Sequence, residues 1–410
     1  MKLLTVDTVA EARQKILGCV SGLKVPVERL EISRALGRVL AEDIEAPEDI
    51  PNFRRSTVDG YAVHSSDTSG AGESAPVFLK LAGKVEMGRS ADFSLNRGEC
   101  AYVPTGAMVP GGADAVVMVE YCETFDGEIA LYESAAAGSH VAAAGEDARK
   151  GSVLLKKGVK IRSQETGALA AAGITEAPVF APLRLAIISS GDELVAPSAR
   201  PRPGEIRDVN SLALAALARE SGYRVTGALA VKDDEGELEA AVREAMGKND
   251  VVVLSGGSSQ GAKDMTEKVL SRAADPGVFT HGLAIKPGKP TILAYDKVTG
   301  AILAGLPGHP VSALMVFRVL LSWLAGQLTF SREAPPVPAK ITCNLASSPG
   351  RTVYQPVSLR FSDGNYLAEP VFGKSGMIST LTNADGYIVI DLNKEGLRAG
   401  EEVLVFLWGE

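Results

Sequence analysis

One glycine-rich loop of this sequence carries an acid at a spacing that would suit phosphate chemistry. The segment LSGGSSQGAKD places Gly256 and Gly261 at the spacing of a phosphate-binding P-loop. Ala262 then stands where that motif requires lysine, and Asp264 stands near the position of its magnesium-binding Ser or Thr. The loop is therefore not a P-loop, but its backbone N–H groups would still suit a phosphate.

Asp264 has two interpretations. With Glu267 three residues later it fits a capping box, which would make it the residue before a helix and nothing more. In the second interpretation it shares a Mg²⁺ ion with Glu193 of the segment IISSGDELV, which follows another predicted strand together with Ser190. Mg²⁺ takes one or two carboxylates together with substrate phosphates. The residues alone leave both interpretations open.

An acidic pair, Asp233 and Asp234, follows the predicted strand YRVTGALAV. Acids just before a helix more often complement the helix dipole than take part in catalysis. The first interpretation of this pair is therefore that it complements the helix dipole, and the second is that Asp233 has a functional role.

Two lysines lie in a loop stiffened by proline. In LAIKPGKPTIL, Pro287 and Pro290 restrict the backbone around Lys286 and Lys289, and Gly288 lies between them. A fixed backbone favours two ammonium groups that point at one anion. A unit charge pair 4 Å apart is worth about 4 kcal/mol at an effective dielectric near 20. We therefore expect an oxyanion site here although the chain is acidic.

The segment AGLPGHPVSA is a second rigid loop. It places Pro310 in the first turn of a helix together with Ser312, and Pro307 precedes them. Ordinary turn-and-cap chemistry and ligand binding explain this segment equally well.

Two loops in the β-rich part of the sequence are less informative. Asp59-Gly60 in PNFRRSTVDGYAV is an ordinary hairpin signal. Thr105 in VPTGAMVPGGADAVV has the character of a turn residue. Taken alone, neither segment requires a function.

The composition limits the class of protein. The chain has 410 residues, 46% of them hydrophobic, which is enough for two to four folded domains. The formal net charge is -8, and no run of Lys and Arg would follow a phosphate backbone, so we expect no nucleic-acid partner. The 4 cysteines and 4 histidines are scattered without metal-ligand spacing.

Neither the N-terminus nor the most apolar run predicts membrane insertion. The segment MKLLTVDTVAEARQKIL has acids within its apolar pattern and lacks the features of a signal peptide. The most apolar run, residues 313–325, contains Arg318 and is shorter than the roughly 20 residues of a membrane span. We therefore expect a soluble, cytoplasmic protein.

The order of predicted elements divides the chain into four regions. Residues 1–26 and 151–180 form a discontinuous linking region that begins with a helix over 5–17, and residues 27–150 form a mainly β domain. In 181–330, strands alternate with helices, which indicates a doubly wound α/β domain with a parallel sheet and ligands beyond the carboxyl ends of its strands. Residues 331–410 are expected to form a small β-barrel.

Seven motifs together resemble the molybdopterin molybdenumtransferase (MoeA) family, which includes the E domain of gephyrin. In order they are P-x-F-x-x-S-x-V-D-G-Y-A-V, P-T-G-A-x-x-P-x-G-A-D-A-V-V, G-E-D, S-S-G-D-E-L, S-G-G-S-S-x-G-x-x-D, A-I-K-P-G-K-P and G-L-P-G-x-P-V-S. Each is weak alone, but they follow the family order over essentially the whole chain. The resemblance implies a central molybdopterin-binding domain similar to the MogA adenylyltransferases.

The same resemblance implies an activity and partners. The activity is insertion of molybdate into adenylated molybdopterin, with Mg²⁺-dependent release of AMP. The implied assembly is an elongated homodimer in which the β-domain motifs reach the cleft from the partner subunit. Molybdopterin adenylyltransferase and molybdoenzyme-maturation proteins are further partners that it suggests.

The resemblance also assigns residues to roles. Ser259 and Asp264 correspond to the nucleotide side, and Asp264 and Glu193 to the metal pair. The catalytic set that it implies is Asp59, Asp147, Glu193, Asp264, Lys286 and Lys289. The substrate-binding set is Thr105, Ser190, Asp233, Ser259, Pro287, Pro290, Pro307, Pro310, Ser312, Arg351 and Ser375, of which Arg351 and Ser375 come from the last domain.

Three places depart from the family pattern. Residues 142–144 are alanines where basic residues are common, His309 stands where many members have Asn, and Gln355 stands where a second basic residue often follows Arg351. Two alternatives to the insertase are a non-catalytic dimeric scaffold of the same fold and a molybdopterin adenylyltransferase. The scaffold would be expected to lack the acids or the lysines, and both are present.

Overall fold

The computed structural model describes residues 6–256, 260–331 and 334–408, with side chains at all of these positions except 260–264. The first helix, α1, spans Val9–Val20 rather than the expected 5–17. Thr8 Oγ1 accepts from the backbone N–H of Glu11, and the Glu11 carboxylate accepts from the N–H of Thr8. This capping box sets the start of the helix, which continues beyond the expected end at residue 17 to Val20.

The segment from 27 to 180 is rich in short strands. Its strands are β1 (Val27–Glu31), β2 (Ile44–Glu45), β3 (Arg55–Ser56), β4 (Gly60–Val63), β5 (Val77–Lys84), β6 (Glu99–Val103), β7 (Ala115–Met118), β8 (Cys122–Phe125), β9 (Glu128–Leu131), β10 (Val141–Ala142), β11 (Val153–Leu155) and β12 (Glu176–Phe180). Helix α2 spans Ser163–Ala171, and 3₁₀ turns occur at Ile32–Arg34, Ser65–Thr68 and Val119–Tyr121.

Six of these strands form one sheet in the order β7-β4-β6-β5-β9-β8. Neighbours run antiparallel except β5 and β6. Asp126 and Gly127 both have positive φ between β8 and β9, which is the geometry of a tight hairpin turn. Outside this sheet, β1 pairs with β12 and β2 with β11, over a small core that includes Leu40, Ile161 and Leu169.

The central domain contains the second six-stranded sheet. Its elements are β13 (Arg184–Ser190), β14 (Leu194–Val195), β15 (Ile206–Arg207), α3 (Asn210–Glu220), β16 (Arg224–Val231), α4 (Glu235–Met246), β17 (Val251–Gly256), α5 (Gln260–Ala273), β18 (Pro276–His281), β19 (Ile285–Lys286), β20 (Ile292–Asp296), β21 (Ile302–Leu306), α6 (Pro310–Val316) and α7 (Trp323–Thr329). The sheet order is β16-β13-β17-β21-β20-β18. Apolar residues fill both faces of the sheet, as expected of a doubly wound domain.

The expectation of a wholly parallel sheet is wrong for one of the six strands, β20, which runs opposite to the other five. β16, β13, β17 and β21 are parallel, whereas β20 is antiparallel to β21 and to β18. A short turn joins β20 directly to β21, and a connection without a crossover helix makes neighbouring strands antiparallel. The central sheet is therefore mixed.

A π-helical segment, Phe317–Ser322, joins α6 and α7 into one helix of 20 residues, Pro310–Thr329. The apolar stretch is thus longer than the 313–325 expected, and by length and composition alone it could cross a membrane. However, 61% of its apolar window is buried inside the protein. Phe317 is fully buried, and the guanidinium of Arg318 donates to the carbonyl of Leu407 at 3.0 Å. Burial of this kind is typical of the core helix of a folded domain.

The last region is the small barrel that the sequence predicts. Its elements are β22 (Val337–Ile341), β23 (Leu345–Ala346), β24 (Thr352–Ser362), β25 (Asn365–Pro370), α8 (Ser379–Thr382), β26 (Gly386–Ile390), β27 (Gly396–Leu397) and β28 (Glu402–Leu407). The ring β24-β25-β22-β28-β26 closes through pairing of β26 with β24. β19 of the central domain adds to β24, so the two domains share hydrogen bonds.

Candidate functional site

The loops of the central domain that carry acids, hydroxyls and lysines lie at one edge of its sheet. Ser190 is level with Val231 and Gly256, and Ser255 is level with Leu306, so β13, β16, β17 and β21 end together. We call this end of the sheet the carboxyl edge. The lysine loop 282–291 also lies there, because antiparallel pairing sets its two flanking residues, His281 and Ile292, beside Gly305 near the end of β21.

Three carboxylates surround the end of β13. The backbone N–H of Asp233 donates to Asp192 Oδ1 at 3.3 Å, and the Ser190 hydroxyl also bonds to Asp233. Partial burial raises the pKa of Asp233, and the negative charges of Asp192 and Glu193 raise it further. A Cβ atom at Gly191 would lie 2.8 Å from Glu193 Oε2, so this carboxylate folds back over the turn. The three carboxylates repel one another, and a bound cation would reduce this repulsion.

Asp234 has the simpler role in its pair. Its side chain accepts from the backbone N–H of Glu237 at 2.8 Å and caps α4. Asp233 instead faces the acids of the β13 turn. The helix-capping interpretation thus applies to Asp234, and the functional role of Asp233 stays a prediction.

The capping-box interpretation of Asp264 is wrong. Helix α5 begins at Gln260, so the backbone of Asp264 lies within the helix and not before it. Glu267, its expected partner, pairs with His281 instead, with 3.2 Å between Oε1 and Nδ1. The side chain of Asp264 and all of Ser259 lie outside the described residues, so the expected metal and nucleotide roles of this loop rest on the sequence.

The proline-rich loop holds its two lysines on a close-packed turn. Gly288 has φ +113°, and a Cβ atom there would overlap Val316 of the long helix. Thr291 Oγ1 donates to the carbonyl of Gly288 at 2.7 Å. Lys286 is exposed, and its Nζ donates to Ser348 Oγ of the barrel at 3.3 Å. Lys289 is exposed and makes no side-chain hydrogen bond or ion pair in the part of the chain that the structure describes.

The prolines expected to shape the lysine loop, Pro287 and Pro290, flank Gly288 and Lys289 directly. Pro287 is half-buried and Pro290 is exposed. Arg351 joins the same surface from the barrel, because its N–H donates to the carbonyl of Ser348 at 3.2 Å. Lys286 and Ser348 therefore link the two domains through their side chains, and the backbone of Arg351 lies in the same turn as Ser348.

A second contact between the domains involves the PGHP loop. Pro307 is buried at the end of β21, and Pro310 is the first residue of α6. His309 Nδ1 lies 2.7 Å from Ser375 Oγ, and Ser375 O accepts from the N–H of Val311 at 3.1 Å. Ser312 is buried, 5% exposed, in the first turn of α6. The structure thus brings Ser375 to the start of the long helix.

The expected residues of the β-rich domain form a separate group. Asp59 Oδ1 accepts from the N–H of Thr105 at 2.6 Å and from its hydroxyl at 2.9 Å. These two bonds lower the pKa of Asp59. Asp147 is exposed, and its N–H donates to the carbonyl of Ile50 at 2.9 Å. Among the described residues, none of the three makes a side-chain hydrogen bond to the carboxyl edge.

Two of the departures from the family pattern have structural roles. Gln355 Nε2 donates to the carbonyls of Pro356 and Val371, each at 2.9 Å, and so supports the barrel. His309 makes the contact with Ser375 described above. Ala142 lies in β10, which pairs with β3 beside Arg55.

Sequence reasoning missed a buried polar network beneath the carboxyl edge. Asn210 Nδ2 donates to Ser255 Oγ and to the carbonyl of Gly308, each at 2.8 Å. Nearby, Ser189 Oγ lies 2.8 Å from Ser211 Oγ, and Asp208 Oδ1 accepts from the N–H of Ser211 at 3.0 Å. The signal in the sequence was DVNS before an apolar run, which by itself indicates only a helix start.

A large cavity lies elsewhere, at the opposite edge of the central sheet. It has a volume of about 820 Å³ and lies between α1, the long helix and the barrel. Its lining includes Arg13, Arg224, Arg318, Trp323 and Trp408. None of the site residues expected from the sequence lines it.

Comparison with known proteins covers nearly the whole chain. The family model of the MoeA N-terminal region (domain I and II) matches residues 7–173, that of a molybdopterin binding domain matches 186–326, and that of the MoeA C-terminal region (domain IV) matches 338–408. A molybdopterin biosynthesis protein of Methanocaldococcus jannaschii is 34% identical over 396 residues, which are 93% of this chain and 92% of that protein. The molybdopterin molybdenumtransferase of Haemophilus influenzae is 32% identical over 409 residues, 98% of each chain.

Solved structures agree with these matches. One molybdopterin biosynthesis MoeA protein from Pyrococcus horikoshii superposes with a TM-score of 0.80 at 37% identity, covering 99% of this chain and 100% of the other. A second from the same organism gives 0.79 at 28% identity, covering 98% and 100%. Since both sequence and fold match over their full length, this chain belongs to the molybdopterin molybdenumtransferase (MoeA) family of molybdenum cofactor biosynthesis enzymes.

Proposed function

We propose that this chain inserts molybdate into adenylated molybdopterin and releases AMP in a Mg²⁺-dependent step. The observation that carries the proposal is that acids and lysines follow strands that end at the same carboxyl edge. Asp192 and Glu193 follow β13, Asp233 follows β16 beside them, and Lys286 and Lys289 lie on the segment between β18 and β20. A phosphoanhydride with an oxyanion acceptor needs charges of both signs at one place.

The acidic group fits Mg²⁺. The described residues contain no cluster of three side chains already arranged as metal ligands. Mg²⁺ requires only one or two carboxylates, because phosphate oxygens and water complete its octahedral shell. Glu193, with Asp264 as second ligand, would hold the ion. Burial raises the pKa of Asp233 most, and a cation would relieve the further contribution from the charges of Asp192 and Glu193. The bound ion would neutralise charge on the anhydride oxygens.

The cationic side suits molybdate, a tetrahedral dianion. Lys286 and Lys289 offer six N–H donors between them, and Arg351 adds a planar fork of donors. Ser348 keeps the Lys286 ammonium beside the barrel, and His309 keeps the hydroxyl of Ser375 at the start of the long helix. These groups would bind and orient the oxyanion next to the pterin dithiolene.

The residues of the β-rich domain are proposed to act across a homodimer in the cytoplasm. Thr105 holds the Asp59 carboxylate in its ionised form, and Asp147 lies on a neighbouring exposed loop. In a dimer, these acids would enter the cleft of the partner subunit and contact the substrate there. Their separation from the carboxyl edge within one chain supports this arrangement over one in which each subunit acts alone.

The experiment measures AMP release from adenylated molybdopterin by the purified protein, with Mg²⁺, in the presence and absence of molybdate. The proposal expects release that depends on both Mg²⁺ and molybdate, and loss of it in Asp264→Ala while the protein keeps its assembly state. AMP release that is indifferent to molybdate would contradict the insertase. Tungstate in place of molybdate compares the two oxyanions in the same assay.

A further inference from the structure

Asn210 is a buried amide that joins the end of strand β17 to the PGHP loop at the carboxyl edge. It is the first residue of α3 and is only 9% exposed. Its Nδ2 donates to Ser255 Oγ and to the carbonyl of Gly308. We propose that Asn210 is a positioning residue, which keeps the glycine loop after β17 in register with the PGHP loop after β21 for the reaction proposed above.

The orientation of the amide is set by its neighbours. The carbonyl of Gly308 can only accept, so the NH₂ group of Asn210 must face it. Asn210 Oδ1 is then buried without a hydrogen-bond partner in the described structure. An unpaired buried acceptor is costly, whereas an apolar side chain of similar size would avoid that cost. Asn210 occupies this position although its buried oxygen is unpaired, and both of its amide hydrogens bond to separate segments of the chain. This combination favours a role beyond packing.

Each joined loop leads to residues of the proposed reaction. Ser255 directly precedes Gly256, where the glycine loop begins, and Gly308 lies between Pro307 and His309. His309 in turn contacts Ser375 of the barrel. We call the two hydrogen bonds of Asn210, to Ser255 and to Gly308, the clamp. The clamp connects the nucleotide side of the proposed site with the oxyanion side. A displacement of about 1 Å between reacting groups is enough to lower a rate about 100-fold.

The start of α3 is itself held firmly. Asp208 accepts from the N–H of Ser211, and its own N–H donates to the carbonyl of Val195 at 2.9 Å. Ser211 also contacts Ser189 of β13. Asn210 is thus a fixed point between β13, β17 and β21.

Asn249 provides a matched control at the other end of β17. It is a buried asparagine of the same domain, 5% exposed, with Nδ2 donating to the carbonyl of Ala245 at 2.9 Å. Its Oδ1 accepts from Thr226 Oγ1 at 2.5 Å. Changes at Asn249 should cost stability as changes at Asn210 do, but they lie far from the carboxyl edge.

The test compares Asn210→Ala and Asn210→Asp with Asn249→Ala. For Asn210→Ala we expect kcat of molybdate-dependent AMP release to fall about 10- to 100-fold with KM changed less than threefold, because binding groups remain while their register is lost. Asn249→Ala should keep kcat within about twofold of wild type at an equal loss of thermal stability. Equal kinetic losses in the two alanine variants would overturn the positioning role.

Asn210→Asp adds a readout that a packing role would not move. A carboxylate cannot donate to Gly308, but a protonated carboxyl can, and burial raises the pKa of such a group above its ordinary value of about 4. The deficit of this variant relative to wild type should therefore shrink as the pH falls from about 8 to about 5.5. A deficit that is constant over this range contradicts the clamp.

A measurement without catalysis separates this inference from the proposed function. Hydrogen exchange of peptides that contain Ser255 and Gly308 should be faster in Asn210→Ala than in Asn249→Ala, whether or not the wild-type protein releases AMP. If the wild-type protein releases no AMP but exchange is still faster in Asn210→Ala, the insertase proposal is wrong and the positioning role of Asn210 stands. Unchanged exchange in both peptides would remove the clamp.

Discussion

His309 Nδ1 lies 2.7 Å from Ser375 Oγ, which joins the start of the long central helix to a loop of the barrel. The two residues are 66 positions apart in the chain and belong to different domains. Ser375 also accepts from the N–H of Val311 through its carbonyl. One face of the proposed oxyanion site is therefore built from two domains that must stay in register.

The first prediction concerns this pair. His309→Ala and Ser375→Ala should each raise KM for molybdate about 3- to 10-fold, since one hydrogen bond is worth about 0.5–1.5 kcal/mol. Initial rates of AMP release at varied molybdate measure the effect. Ser379→Ala, an exposed change a few residues further on, is the control. Equal KM values in all three variants would show that His309 and Ser375 do not contribute to oxyanion binding.

The second prediction concerns Asp233. Its folded pKa is raised, so the stability linked to it is present below the unfolded pKa of about 3.9 and is lost as the pH rises through the folded pKa. Asp233→Asn should therefore raise the melting temperature at neutral pH without Mg²⁺, and have little effect near pH 4. It should also weaken Mg²⁺ binding on the order of 10- to 100-fold. Thermal melts at several pH values and Mg²⁺ titrations measure both.

Asp234→Asn is the matched control for that experiment. It removes the same charge from the neighbouring residue, and asparagine caps a helix as well as aspartate does. If the Mg²⁺ affinity falls equally in both variants, the effect comes from the loss of one negative charge and not from a specific role of Asp233.

The third prediction concerns Gly288. A Cβ atom there would overlap Val316 Cγ2 and lie 2.8 Å from Ile285 Cδ1, on a backbone with φ +113°. Gly288→Ala should therefore destabilise the protein by about 1–3 kcal/mol and displace Lys286 and Lys289. Gly300→Ala has a positive φ of +75° but no atom within 4 Å, so it should cost only the backbone strain, about 1–2 kcal/mol. Only the first change should abolish molybdate-dependent turnover at a temperature where both variants are folded.

The fourth prediction concerns Asp59 and Thr105. The two bonds from Thr105 lower the folded pKa of Asp59, so the stability they provide is present above the unfolded pKa of about 3.9 and is lost as the pH falls through the folded value. Asp59→Asn should make stability less sensitive to pH on the acid side. Thr105→Val, which keeps the N–H donor, should give part of that effect, and Thr105→Ser should give none. Melting temperatures between about pH 2.5 and pH 6 bracket the titration.

The order of strands and helices, and the loops that follow the strands, could be predicted from the sequence. Alternating apolar runs and Gly/Pro turns are local signals, and they sufficed for the doubly wound domain and the barrel. Local signals were less reliable at helix starts. The D-x-x-E pattern of Asp264 and Glu267 predicted a cap, but α5 begins at Gln260 and Glu267 pairs with His281. A capping pattern states a preference, and packing of the helix on its sheet can override it.

The sequence by itself therefore determined which loops carry acids, lysines and hydroxyls and that they lie at the ends of strands. Only the tertiary structure decided which of them meet: Lys286 with Ser348, His309 with Ser375, and Asn210 with Ser255 and Gly308. These partners are 45 to 98 positions apart in the chain. Such contacts depend on strand order, register and domain packing, which are set by the burial of whole faces and leave no local pattern in the sequence.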